Sequence, residues 1–166
     1  RFDPPASATE RETLEAFLDY HRAPLSLKCD GLSDGPLRER AVAPSTLSLL
    51  GLVRHMADVE RSWFRRVMDG QDAPPLYYSD SDPDGDFDNT ADDTAASALA
   101  AWAREIAASR EVVAGIDVLD TMSTVGHRLH GNVSLRWVLC HMLEEYARHN
   151  GHADLLRERI DGATGE

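Results

Sequence analysis

"HMLEEYARHNGHADLLRE", residues 141–158, is the stretch whose reading decides the fold. Three histidines and a Glu-Glu pair are interleaved with apolar residues, and an α-helix turns about 100° per residue, so each side chain can be given a facing. With His141 at zero, Leu135, Val138, Met142, Tyr146, Ala153, Leu156 and Ile160 gather around about 110°. The stretch therefore belongs to one long amphipathic helix, from about Ser134 to Ile160, stopped by the Asp161-Gly162 signal. On the same wheel His149 falls at about 80°, Glu145 at about 40°, His152 at about 20° and Glu144 at about −60°. His149 points closest to the core and Glu145 next, while Glu144, Arg148 and Asn150 face away.

Three more helical patterns precede it. The first runs from about Thr9 to Leu27, with Leu14, Phe17, Leu18 and Leu25 on one stripe, Ser7 or Thr9 as cap and "CDGLSDGP" as stop. The second follows Pro44 and the cap candidate Ser45 through "TLSLLGLVRHMADVERSWFRRVM" to "DGQDAPP", with Leu49, Leu52, Val53, Met56, Trp63 and Val67 on one face. The third starts near Thr90 or Asp93 and carries "AASALAAWAREIAASREVVAGI". No segment alternates with period two over the length of a strand. The expected fold is all-α: an antiparallel four-helix bundle in one domain covering residues 1–166, with long loops at 70–92 and 116–133. Loops of that length in a compact domain often cover a site.

A chain of 166 residues buries a sizeable core without a structural staple. Its net charge of −12 opposes the counterion release on which phosphate binding depends, which disfavours nucleic acid. No apolar run approaches the roughly 20 residues of a membrane helix, and the N-terminal "RFDPPASATERETL" carries no signal-like apolar segment, so a cytoplasmic protein with no membrane partner is expected. Cys29 and Cys140 lie far apart and read as small buried hydrophobes. Trp63, Trp102 and Trp137 read as packing residues, and His127 and His130 as ordinary exposed residues of the second loop. The loop "DSDPDGDFDNTADD" begins like an EF-hand, with Asp80, Asp82, Asp84, Gly85, Asp86 and Asp88 in place. Its twelfth position is Ala91 where a bidentate Glu belongs, which favours a solvated acidic turn over calcium.

Glu145 and His149 stand one turn apart on the same side, at the spacing that lets two side chains reach one ion. A buried carboxylate and imidazole are costly unless paired or metallated, so either a Glu-His pair or a metal site fits them. A third ligand decides between the two, and His55 is the candidate, about 100° from the centre of its helix's stripe. A flank position still faces a neighbouring helix or an open bundle end.

"LVRHMADVERSWF" in the second helix and "LRWVLCHMLEEYARHNGHADLLRERIDG" in the fourth, taken with the "DPDGDFD" loop, resemble the DinB-like superfamily in its actinobacterial branch of mycothiol-dependent enzymes. The resemblance covers nearly the whole chain. It implies a four-helix bundle that holds a divalent metal, zinc first and nickel second, through three side chains. The histidine of the second helix matches His55, and the carboxylate-and-histidine pair known from mycothiol-dependent maleylpyruvate isomerase matches Glu145 and His149. Many members carry histidine where this chain has Glu145, and His141 and His152 are near enough to substitute, so a set of His55, His149 and His152 stays open. Homodimers are common in the superfamily.

Three protein ligands leave a fourth position for a reactant. A small thiol entering it would be deprotonated at neutral pH, giving a nucleophile for attack on an electrophilic small molecule. In that reading mycothiol is the co-substrate, and His152 or His141 is catalytic, orienting a ligand or relaying a proton. A metal-dependent hydrolase and a non-catalytic small-molecule-binding module are the alternatives.

Overall fold

The computed structural model describes residues 2–165. Its helices are α1 (Glu10–Cys29), α2 (Asp34–Leu37), α3 (Leu49–Glu60), α4 (Gly85–Asp88), α5 (Ala95–Ala114) and α6 (Leu135–Asp161), and α3 runs directly into a π-helical segment, Arg61–Met68. Among the described residues there is no strand, only isolated bridges. The all-α class and the four long helices are as expected.

Side chains at each helix start meet the free backbone N–H groups. Thr9 and Glu12 form a reciprocal capping box on α1, Thr94 and Ser97 form another on α5, and Ser134 accepts from Trp137 N on α6. The second long helix starts later than expected. Ser48, not Ser45, caps it, accepting from Gly51 N at 3.1 Å. Gly162 closes α6 at φ 78°, a left-handed conformation that suits glycine.

The four long helices form two parallel pairs set antiparallel to each other. Arg136 pairs with Glu10, Asn150 donates to His21 O and Arg157 donates to Lys28 O, so α1 and α6 run parallel. Arg54 pairs with Asp93 and Arg61 with Glu105, so α3 and α5 run parallel too. The two pairs oppose each other, because His55 meets His149 while Trp63 meets His141. Two consecutive long helices that run the same way need a connection that travels back along the bundle, which gives the long segment between Met68 and Ala95 its physical reason.

At the centre, each long helix contributes one polar side chain to a closed network, which reaches the surface only where Arg22 Nη1 donates to the exposed Asp19 at 2.8 Å. Arg22 of α1 donates to both carboxylate oxygens of Glu60 at 2.8 Å, Tyr146 OH of α6 donates to Glu60 Oε1 at 2.7 Å, and Trp102 Nε1 of α5 donates to Tyr146 OH at 2.9 Å. All four residues are buried. Burial works against the Arg22 charge, but the adjacent Glu60 carboxylate outweighs it and holds the pKa above its ordinary value. For Tyr146, burial and then the Glu60 charge push the phenol well above its usual range.

The wheel for α6 is right for its apolar stripe and wrong for Asn150. That residue is buried, with Nδ2 on His21 O at 2.8 Å. α1 covers a second flank of α6, where Leu139 is also buried, so the enclosed arc is wider than the stripe alone. Phe17, placed on the α1 stripe, is 41% exposed, and Cys140, expected to be buried, is exposed. Cys140 precedes His141 by one residue and so points about 100° the other way, away from the stripe. Cys29 is buried as expected.

Candidate metal centre

His55 sits one turn below Gly51 on α3, where the chain of α4 crosses at close range. A Cβ on Gly51 would lie 2.8 Å from Phe87 O, so glycine is what lets α4 seat against α3. That seating brings Asp86 Oδ2 to 2.7 Å from His55 Nδ1 and stacks Phe87 on the imidazole at 4.3 Å between centroids. A carboxylate at Nδ1 draws the ring proton there and leaves the Nε2 lone pair for another partner.

Across from it, α6 presents Glu145 and His149. One donor atom from each of His55, Glu145 and His149 lies within 4.8 Å of the others, and among the described residues this is the one group of three or more such side chains that could hold a metal ion. The alternative set with His152 in place of Glu145 does not converge in this way. Flanking residues join the cluster. His141 Nε2 is 3.3 Å from Glu145 Oε1, His149 Nε2 is 3.4 Å from Glu145 Oε2, and His152 Nδ1 is 3.3 Å from His149 Nδ1. Hydrogen bonds from His141, then His149, hold the Glu145 carboxyl well below the usual carboxylate range, against the opposing effect of burial. Burial, with the charges of His149 and Arg148, lowers the His152 pKa.

Two imidazoles and a carboxylate, partly buried and facing one point, are the donor set of a borderline divalent cation. With three protein donors, such a site keeps a position for a reactant. His55 also lines an open cavity of about 310 Å³, bounded by Trp63, Tyr78 and Asp86. Trp63 is thus both buried and a cavity wall, stacked at 4.5 Å on a half-buried His127 that the sequence reading placed at the surface. His130 is exposed as expected.

Asp86 is the residue the sequence reading missed. The acidic loop neither converges on one point nor stays wholly in solvent. Asp86 is buried against His55, Asp88 pairs with Arg40, Asp82 bonds Asn89 and Asp93 pairs with Arg54. No periodicity in the loop marks Asp86 out. Glu60 and Arg22 did carry a signal, since Glu60 lies on the apolar stripe between Met56 and Trp63, and Arg22 lies between Leu18 and Leu25.

Helical architecture and site together define a DinB-like bundle. A family model described as Mycothiol-S-transferase matches residues 13–162, and the chain belongs to that family. Among solved structures, a conserved protein from Enterococcus faecalis is similar with a TM-score of 0.63, covering 95% of this chain and 100% of its own. At 13% identity that likeness speaks to the fold alone. No curated protein matches the chain at a significant level. No helix among the described residues is long and apolar enough to cross a membrane.

Proposed function

We propose that the protein is a divalent-metal-dependent S-transferase that joins mycothiol to an electrophilic small molecule, with His55, Glu145 and His149 holding zinc or, second, nickel. The observation that carries this reading is the convergence of those three donor atoms within 4.8 Å, drawn from two helices beside an open cavity. Membership in the mycothiol S-transferase family supports the choice of thiol. A cation held there would lower the pKa of an incoming thiol and so supply a thiolate at neutral pH.

The chain's own residues do the rest. Asp86 fixes the tautomer and the plane of His55 through Nδ1. Glu145 brings the negative charge, shared between His141 and His149. His141 and His152, each half-buried and touching one member of the trio, are placed to take the proton the thiol gives up and pass it outward. Sulfur then bonds to the electrophilic carbon as the leaving group departs with the electron pair of its bond.

The test is elemental analysis of protein purified without a metal-binding tag, followed by mycothiol consumption with 1-chloro-2,4-dinitrobenzene. One zinc or nickel per chain and thiol-dependent turnover are expected, both lost in His149→Ala. Metal content and turnover unchanged in that variant, or turnover needing no thiol, would overturn the assignment.

A further inference from the structure

The cavity beside His55 does not end there. Ser62, Tyr78 and Pro83 also form a wall of a second cavity, of about 1030 Å³, into which the π-helical segment and the loop before α6 bring Arg66, His127 and Arg128. The two cavities adjoin across these shared residues and together extend from His55, past Trp63, to a pair of arginines.

Those arginines stand apart in charge. The chain carries −12 overall, and its other cavity and core arginines each have a carboxylate partner: Arg22 has Glu60, Arg54 has Asp93, and Arg61 and Arg65 share Glu105. Among the described residues Arg66 forms no ion pair. Its Nη2 donates to Ser62 Oγ at 2.8 Å and to Tyr78 OH at 3.2 Å, two neutral acceptors that fix the guanidinium without discharging it. Nε and Nη1 have no acceptor among the described residues, and neither is a buried orphan, so both are open to solvent. Arg128, exposed on the facing loop, has no ion pair among these residues either, and Asp80 on the rim is exposed and pairs with neither. After burial and the neighbouring His130 and His141, the charges of Arg128 and Arg66 help to lower the His127 pKa. The fixed positive charge at this end is that of the two arginines.

The lining is mixed polar and apolar, with Asp58, Asp84 and Asp86 at the His55 end and the arginines at the other, and at that other end a guanidinium with free donors can meet a carboxylate with two parallel hydrogen bonds. The protein's overall charge repels anions, so local unneutralised cations decide whether one enters. Trp63, although one face of its ring is covered by His127 at 4.5 Å between centroids, lines the stretch in between together with Tyr78, an aromatic lining suited to an unsaturated or aromatic body.

We propose that these adjoining cavities bind the electrophile and that Arg66, joined by Arg128, holds a carboxylate on it while the reactive carbon lies beside His55. The substrate class is then an unsaturated or aromatic carboxylate with its electrophilic centre at the far end from the acid. The reaction rests on the S-transferase reading above; the binding does not.

The experiment compares 4-chloro-3-nitrobenzoate with 4-chloro-3-nitrobenzamide, which differ in charge and hardly in shape. Binding to the full chain without thiol is measured by calorimetry at low salt, with circular dichroism confirming that each variant folds. The acid is expected to bind about 10-fold more tightly than the amide, as two charge-assisted hydrogen bonds allow. Arg66→Gln should bring the two within about 2-fold, Arg66→Lys should keep part of the preference as a point charge does, and Arg128→Gln should lower it about 3-fold. Equal binding of acid and amide to the wild type, or a preference that survives Arg66→Gln, overturns the subsite. Mycothiol is then added. A preference for the acid in binding with no thiol transfer to it removes the S-transferase reading and leaves the subsite. Transfer to both compounds with equal kcat/KM and equal binding removes the subsite and leaves the S-transferase.

Discussion

Glu145 and Tyr146 are neighbours in the chain, yet they enter two polar clusters of opposite character. Tyr146 belongs to the closed network with Glu60, Arg22 and Trp102, whose contacts are 2.7–2.9 Å and whose members are all buried. Glu145 belongs to the open cluster with His55 and His149, where contacts to imidazole are 3.3–3.4 Å and His55 lines a cavity. His55 and Glu60 are likewise five residues apart on one helix. Taking polar groups out of water costs several kcal/mol unless partners replace the water. The closed network meets that cost within the protein, whereas the open cluster has geometry to spare for a guest. The one reads as structure, the other as function.

The largest effect falls on the closed side. Arg22→Ala strands the Glu60 carboxylate at 0% exposure, and breaking a buried pair in this way costs about 3–5 kcal/mol. Urea unfolding followed by circular dichroism measures it. Replacing both partners, Arg22→Met with Glu60→Leu, should cost less than the single change, because no unpaired charge is left inside. A single variant that loses under about 1 kcal/mol would erase the contrast between the clusters.

On the open side, stability should respond to a guest. A ligand at 100 to 1,000 times its Kd adds about 3–4 kcal/mol, so zinc should raise the Tm of the wild type and leave that of His55→Ala where it was. Arg22→Ala, if folded, should keep the response, since the closed network takes no part in binding. A rise that persists in His55→Ala would place the metal elsewhere.

Asp86 sharpens the comparison further, because it is a buried carboxylate that serves the open cluster. Asp86→Asn keeps the shape and removes the charge that orients His55, and changes of this kind weaken metal binding about 10- to 100-fold. Chelator competition reads this out. Gly51→Ala should do the same by a different route, since its Cβ would displace α4 at Phe87 O. Affinity unchanged in both variants would reduce the Asp86 contact to packing.

Helix patterns carry the sequence reading a long way, because burial of one stripe repeats with the helical turn. It found the four long helices and the side of α6 from which Glu145 and His149 emerge, and it ranked His149 as more enclosed than Glu145, as the structure has it. It stopped where burial depends on a partner that local spacing does not name. Asn150 is enclosed because α1 runs alongside, and Asp86 because a glycine on another helix leaves room for its loop. The π-helical turn also escaped it, although that turn carries Trp63 to the cavity wall and Arg66 to the adjoining cavity. In the sequence the acidic loop reads as a solvated turn in preference to a calcium site. Its carboxylates instead part company, each toward a different residue.

The smallest effect concerns the two thiols, which separate closed from open on a finer scale. Burial pushes the Cys29 thiol from 9.0 up to about 12, partly offset by the charge of Arg157, while Cys140 stands exposed on α6. At pH 8 Cys29 is then thiolate at roughly one part in ten thousand, and an aromatic disulfide reagent should label Cys140 at once and Cys29 only on unfolding. The raised pKa also fixes a sign. Above pH 9 the unfolded chain sheds a proton that the folded chain keeps, so the contribution of this thiol to folding stability falls as pH rises, by about 1.4 kcal/mol per unit until about pH 12, and the raised Tyr146 phenol adds a fall of its own above about pH 10. Cys29→Ala should flatten that part of the stability profile and Cys140→Ala should not. Rapid labelling of both thiols in the folded protein would mean that the region around Cys29 opens readily, and the line between a closed core and an open site would have to be drawn elsewhere.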